Sequence, residues 1–308
     1  MKILCATDLL PKTESAIERA AMLAEQLSAT LSLIHAVPIG ESKEALEEDM
    51  QHARGLLGAR AMPPRWRFGA PATLLVRSGN VAAVLIEASE ELKPDLVVLG
   101  AHRRRPVADA LAGTIAERLL SSIACPLLIV RRMPWAPYRN TLVALDRSDA
   151  SATAVQASET LALSPDARLR VVHGYQVPYE HTVRSLGVAI DANDDYARQW
   201  KQQAEAALSE WLASTSIDAS QYELVLENAE TNDAIRDVIR RLPPDLLVLG
   251  TRGHGRVRRA LLGSVASRIL ATARADLLVV PHRWSTVHRP PRHLRSSAPA
   301  RAVGHPHP

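Results

Sequence analysis

The chain is poor in sulfur and in aromatic surface. Its 308 residues include two cysteines, one phenylalanine and only 4% aromatics in all. Cys5 and Cys125 each sit inside apolar, strand-like runs, a setting for buried thiols rather than for a disulfide or a metal pair. No apolar run approaches the roughly 18 residues of a membrane span. The opening MKILCATD has neither the long apolar core nor the cleavage site of a secretory signal. The expected location is therefore the cytoplasm. Two phosphate loops are also missing: no G-x-G-x-x-G follows the first strand-like run, and G-x-x-x-x-G-K-[ST] does not occur. A dinucleotide dehydrogenase and a P-loop ATPase are thereby disfavoured. No serine, cysteine or lysine stands with a partner base in a way that assigns a catalytic residue. His288, His293, His305 and His307 are too irregularly spaced to make a metal site.

Acidic residues are absent from the last 26 positions, and this decides how the charge is read. The formal net charge is +4, but Arg283 to Pro308 carries five arginines, five prolines and no acid, which leaves the first 282 residues at −1. The folded body is close to neutral, so binding to nucleic acid is not expected of it and would be confined to weak contacts of the tail. The tail's proline and arginine content cannot build a core, and disorder is expected there.

What the chain does have is a unit written twice. KILCATDLLPKTESAIERAAMLAEQLSATLSLIHAV (Lys2 to Val37) matches NTLVALDRSDASATAVQASETLALSPDARLRVVHGY (Asn140 to Tyr175) at an offset of 138. KPDLVVLG matches PPDLLVLG, and LAGTIAERLLSSIACPLLIV matches LLGSVASRILATARADLLVV, both at an offset of 150. The twelve extra residues fall between, in the polar region 190 to 214. Within each unit, short β-branched runs (Lys2 to Thr7, Thr30 to His35, Leu96 to Gly100, Leu127 to Val130) read as strands buried on both faces. Between them, Ala16, Ile17, Ala20, Ala21, Leu23, Ala24 and Leu27 form one helical stripe. The order β-α-β-α-β-α-β-α-β predicts an α/β fold: two tandem, doubly wound, Rossmann-like domains, each with a five-stranded parallel sheet. The expected domains are 1–132 and 140–282, joined by a linker at 133–139 and followed by the tail at 283–308.

In such sheets ligands bind outside the carboxyl ends of the strands. The first strand ends in Asp8 in one unit and Asp146 in the other, and the fourth in Gly100 or Gly250. In the second unit, Gly250-x2-Gly253-x9-Gly263-Ser264 follows the fourth strand. Together with the distant Asp146, this resembles the ATP-binding signature of the universal stress protein family, and with both units the resemblance runs to about residue 282, as in tandem members. It implies a site formed by Ala144, Asp146, Tyr175, Leu249, Gly250, Arg252, Gly253, Gly263, Ser264 and Val265, with ATP as ligand and Mg²⁺ carried on its phosphates. Asp146 would meet the adenosine end, and the backbone near Tyr175 would frame the base. Glycines let backbone N–H groups approach a polyphosphate, and a helix start near Gly263 and Ser264 offers further donors. One hydroxyl of the family pattern is missing, because Ala266 stands where binders often carry Thr or Ser.

The alternative is that the glycines only make a tight turn and that Asp146 caps a helix starting near Ser148. In the first unit Arg103 replaces the second motif glycine, while Gly113 and Thr114 remain. That copy is read as a decayed site with a solvated basic loop, His102 to Arg105. His35 and His173 hold matching positions, which fits shared packing better than ligand binding. The resemblance implies a nucleotide-dependent stress-response regulator with its working site in the second domain. A slow ATPase or phosphotransferase and a nucleotide-free scaffold are the rivals. The last strands, CPLLIV and ADLLVV, are expected at sheet edges, where the two units would pair as a pseudo-dimer within the chain; a further homodimer is left open.

Overall fold

The computed structural model describes residues 1–40, 42–61, 72–101, 115–161, 168–178, 190–215, 217–251 and 274–284. The first unit runs β1 (Lys2–Ala6), α1 (Glu14–Gln26), β2 (Thr30–Val37), α2 (Lys43–Arg60), β3 (Thr73–Ser78), α3 (Val81–Leu92), β4 (Leu96–Gly100), α4 (Ile115–Ser122) and β5 (Leu127–Val130). The second runs β6 (Asn140–Ala144), α5 (Asp149–Leu161), β7 (Arg168–Tyr175), α6 (Ile190–Ser214), β8 (Glu223–Asn228), α7 (Thr231–Arg241), β9 (Leu246–Gly250) and β10 (Asp276–Val280). The helix expected before β10 lies outside the described residues. Part of the extra length of the second unit is in α6, which has 25 residues against 18 in α2.

Ten strands form one sheet in the order β3-β2-β1-β4-β5-β10-β9-β6-β7-β8. Pairing is parallel within each unit. Among the described residues the single antiparallel contact is the seam, where β5 meets β10 with Leu128 opposite Leu278 and Leu277 opposite Ile129. These two residues of the central pair stand at equivalent places in the repeat, so a pseudo-twofold axis passes between them. The edge pairing expected of CPLLIV and ADLLVV is thus found inside the chain. Every residue of both seam strands is buried, which removes what would otherwise be two exposed apolar edges.

Alternation along the strands sends side chains to two cores, one on each face, and both cores cross the seam. Leu128, Val130, Leu278 and Val280 join α1, α5 and α6 on one face. Leu127, Ile129, Leu277 and Val279 join α3, α4 and α7 on the other. At the outer edges the repeat keeps its geometry but exchanges its charges: Arg77 of β3 pairs with Glu91 of α3, whereas Glu227 of β8 pairs with Arg241 of α7. Cys5 and Cys125 are free and buried, and burial pushes both thiols up to about 12. They are unreactive packing residues, as the sequence suggested.

Candidate functional site

In each unit the chain leaves the first strand toward one side of the sheet and returns on the other. The resulting crevice lies between the carboxyl ends of β1 and β4 in the first unit, and of β6 and β9 in the second. Of the residues expected in the second site, the structure brings Ala144, Asp146, Tyr175, Leu249 and Gly250 to this one edge. Ala144 and Leu249 turn their side chains into the core, so only their backbones are available to a ligand. Arg252, Gly253, Gly263, Ser264 and Val265 lie outside the described residues, as do His102 to Arg105, Gly113 and Thr114.

Asp146 is half-buried just past β6. Its Oδ1 accepts hydrogen bonds from the backbone N of Ser148 (3.1 Å) and from Ser148 Oγ (2.6 Å). Its Oδ2 has no partner among the described residues. Ser148, not Asp146, caps α5: its Oγ accepts from Ser151 N at 3.2 Å. The capping alternative considered from sequence therefore falls on the next-but-one residue, and Asp146 instead makes the tight turn that presents the cap. Between them Arg147 adopts φ +60°, a left-handed conformation uncommon for a residue with a side chain. Leu9, its counterpart, has φ +58°. In the first unit, Asp8 Oδ1 accepts from Leu10 N (3.0 Å) and Thr13 Oγ1 (2.8 Å), and Thr13 is also bonded to Thr7 at 3.0 Å. The second unit has a corresponding set of hydroxyls, with Ser148 Oγ on Asp146 and 3.5 Å from Ser151 Oγ, and lacks only the Thr7 hydroxyl, since Thr7 is matched by Leu145.

A pair of histidines supports both turns. His35 Nδ1 lies 2.8 Å from the carbonyl of Thr7, and His173 Nδ1 lies 2.9 Å from that of Leu145. A carbonyl only accepts, so Nδ1 carries the proton in each ring. Sequence pairing had already suggested a shared structural role, and these bonds supply it: each histidine pins the strand end immediately before the aspartate. Burial lowers the pKa of His173 and the charge of Arg147 acts in the same direction, against the Leu145 hydrogen bond and Asp146. The folded value lies below the ordinary 6.5, so on acidification the unfolded chain takes up the proton first. Stability from the neutral ring is thus complete above 6.5 and declines as pH falls toward the folded value. Urea midpoints at about pH 7.5 and 5.5 should fall with acidification in the parent chain and fall less in His173→Gln, which has no titrating ring. An equal drop in both proteins would exclude His173 as a source.

Gly250 has a packing explanation of its own. A Cβ there would stand 2.6 Å from the carbonyl oxygen of Ala150 and 2.8 Å from its carbon, so only glycine lets the first turn of α5 press onto the end of β9. At Gly100 the nearest obstacle is the Thr13 methyl at 3.0 Å. A similar approach closes the far side of the site, where a Cβ on Gly174 would lie 2.6 Å from Ala229 O. Beyond β7, Asn228 Oδ1 accepts from Val177 N at 3.1 Å and ties the segment after Tyr175 to β8. Sequence reasoning missed Ser148, Arg147 and Gly174. The offset of 138 could have flagged Arg147, because Leu9 and Arg147 follow the paired aspartates.

The edge thus built belongs to a doubly wound α/β module with a switch-point crevice, present twice. A family model described as the universal stress protein family matches residues 1–131 and 137–281. The chain belongs to the universal stress protein family and is a tandem member of it. It is 25% identical over 217 residues to a universal stress protein of Mycobacterium tuberculosis, covering 68% of this chain and 70% of that one. It is also 32% identical over 142 residues to universal stress protein A homolog 1 of Coxiella burnetii, covering 42% of this chain and 94% of that one. Two solved structures share the arrangement at 17% identity. One is a Pseudomonas aeruginosa protein of unknown function (TM-score 0.61, covering 91% of this chain and 92% of that one). The other is a universal stress protein of Archaeoglobus fulgidus (TM-score 0.59, covering 91% and 96%). Among the described residues no helix is long and apolar enough to cross a membrane, and no cluster of His, Cys, Asp and Glu could hold a metal ion.

Proposed function

We infer that the second unit binds ATP, with Mg²⁺ carried on the phosphates, and that the chain acts as a nucleotide-dependent regulator of partner proteins in the cytoplasm. The observation that carries this reading is the Asp146 carboxylate. It stands at the switch point with one oxygen held by Ser148 and the other without a partner among the described residues. An ionised carboxylate is acceptor-only, which suits a ribose hydroxyl or an adenine amino group. The turn is fixed before any ligand arrives, by His173 behind it and the Ser148 cap ahead of it. Tyr175, at the end of the neighbouring strand β7, would border the base. The glycines of the motif, Gly253 and Gly263, together with Ser264, would supply donors to the phosphates.

The same edge in the first unit is less suited to this task. Asp8 holds its turn much as Asp146 does, but the sequence after β4 carries Arg103 in place of the second glycine. Acid denaturation of the purified protein, followed by identification of what it releases, tests the reading directly. An adenine nucleotide is expected from the parent chain and little from Asp146→Ala. A parent chain that releases nothing and takes up no ATP in titration would identify a nucleotide-free scaffold instead.

A further inference from the structure

The strongest polar cluster outside the candidate site lies at the seam and straddles the two units. Asp276, the first residue of β10, is 1% exposed. Its Oδ1 accepts from the backbone N–H groups of Arg131 (2.7 Å) and Arg132 (3.2 Å), and its Oδ2 from Tyr138 Oη (2.7 Å). Arg19 of α1, itself buried, places Nε 3.6 Å from Oδ2 and its guanidinium 3.9 Å from the centre of the Tyr138 ring. Arg19 Nη1 also donates to Ala136 O at 3.0 Å. One carboxylate of the second unit therefore holds the end of β5, both ends of the linker, and a helix of the first unit.

None of this obeys the repeat. The position matching Asp276 is Pro126, that matching Arg19 is Ala157, and those matching Arg131 and Arg132 are Pro281 and His282. The consequence appears when the other pairings available to the seam strands are considered. Since Leu128 and Leu278 face each other across a pseudo-twofold axis, β10 could in principle pair in the same register with β10 of a second copy, and β5 with β5. In a β10 to β10 pair, Asp276 would meet Pro281 and His282 of the partner chain in place of Arg131 and Arg132; Pro281 has no N–H to give, so the shorter of the two backbone bonds is lost, and no tyrosine follows that strand. In a β5 to β5 pair, Pro126 would face Arg131 and Arg132 and offer them no carboxylate. Each like-with-like pairing leaves polar groups at the seam unmet, and a buried carboxylate that loses part of its donor set is a costly defect in a protein interior.

We propose that Asp276, Tyr138 and Arg19 form a strap that dictates which strands meet at the seam, holding β5 to the β10 of its own chain and excluding like-with-like pairing between two copies. The apolar pattern of the seam strands does not distinguish these pairings. The strap does, because it needs one partner of each kind together with the linker that joins them.

The full chain carrying Leu278→Cys provides the test. Directly opposed residues of antiparallel strands lie about 4.5 to 5.5 Å apart at Cα, within disulfide range. With the strap intact the introduced thiol faces Leu128, so mild oxidation should yield no more cross-linked dimer than the parent chain. Adding Asp276→Ala should raise interchain disulfide at least about tenfold, because the penalty on β10 to β10 pairing is gone. Tyr138→Phe, which removes one donor at constant shape, should give a smaller rise, and it carries the test alone if Asp276→Ala does not fold. Folded variants, verified by circular dichroism, that cross-link no more than the parent chain would overturn the proposal. So would a Leu278→Cys chain that cross-links freely with the strap intact.

Discussion

Titration of the protein with MgATP is expected to saturate at one nucleotide per chain. The second unit keeps Asp146, Gly250, Gly253, Gly263 and Ser264, whereas Arg103 stands at the first unit's second motif position. A glycine loop donates several charge-assisted backbone hydrogen bonds to phosphate, each contributing about 1.5 to 3 kcal/mol, so blocking two weakens binding by roughly a hundredfold or more. Gly253→Arg, which writes the first unit's residue into the second, should therefore abolish binding in calorimetry. Asp146→Ala should weaken it, and Ser148→Ala, which removes the cap of α5 and one of the two bonds to Asp146 but leaves the carboxylate, should weaken it less. Two nucleotides per chain would show that both units bind, and binding that survives Gly253→Arg and is lost in Asp8→Ala would move the site to the first unit.

The second large effect is on stability. Gly250→Ala forces a methyl to within 2.6 Å of the Ala150 carbonyl oxygen, which belongs to the backbone of the first turn of α5 and cannot rotate away. The helix must shift as a body, and a loss of about 3 kcal/mol is expected, the upper end for overpacking. Gly100→Ala meets first a threonine methyl at 3.0 Å and should cost less, about 1 kcal/mol. Urea midpoints of the two variants provide the comparison. Equal losses would show that α5 yields as easily as a side chain.

That contrast also shows where sequence reading succeeds and where it stops. The repeat, the strand runs and the burial of both seam strands follow from local composition: near-continuous apolar stretches such as LVVLG and LLVLG have few alternatives to the middle of a parallel sheet. The position of Asp146 was legible because a carboxylate at the end of an apolar strand is conspicuous. Its bond to Ser148, and the shift of the capping role to that serine, depend on turn geometry and were not. Gly250 was assigned to phosphate approach from its place in a motif, yet the demand of Ala150 on it comes from a helix that begins a hundred residues earlier. The Asp276 strap was invisible for the same reason. It joins positions 19, 131, 138 and 276, and no window along the chain contains more than two of them.

The antiparallel seam has one more consequence. All strands of one half point one way and all strands of the other half point the opposite way, so the molecule has two heads and no common mouth. On the function proposed above, a partner that senses the occupancy of Asp146 would approach the pole where β6 and β9 end, away from the carboxyl ends of β1 and β4. The first unit's strands β1 and β4 end at the other pole, so a sequence change such as Arg103 in place of a glycine would leave that approach unaltered. Duplication along such a seam would separate an address from a signal on that reading, one pole keeping a fixed contact while the other responds to a ligand.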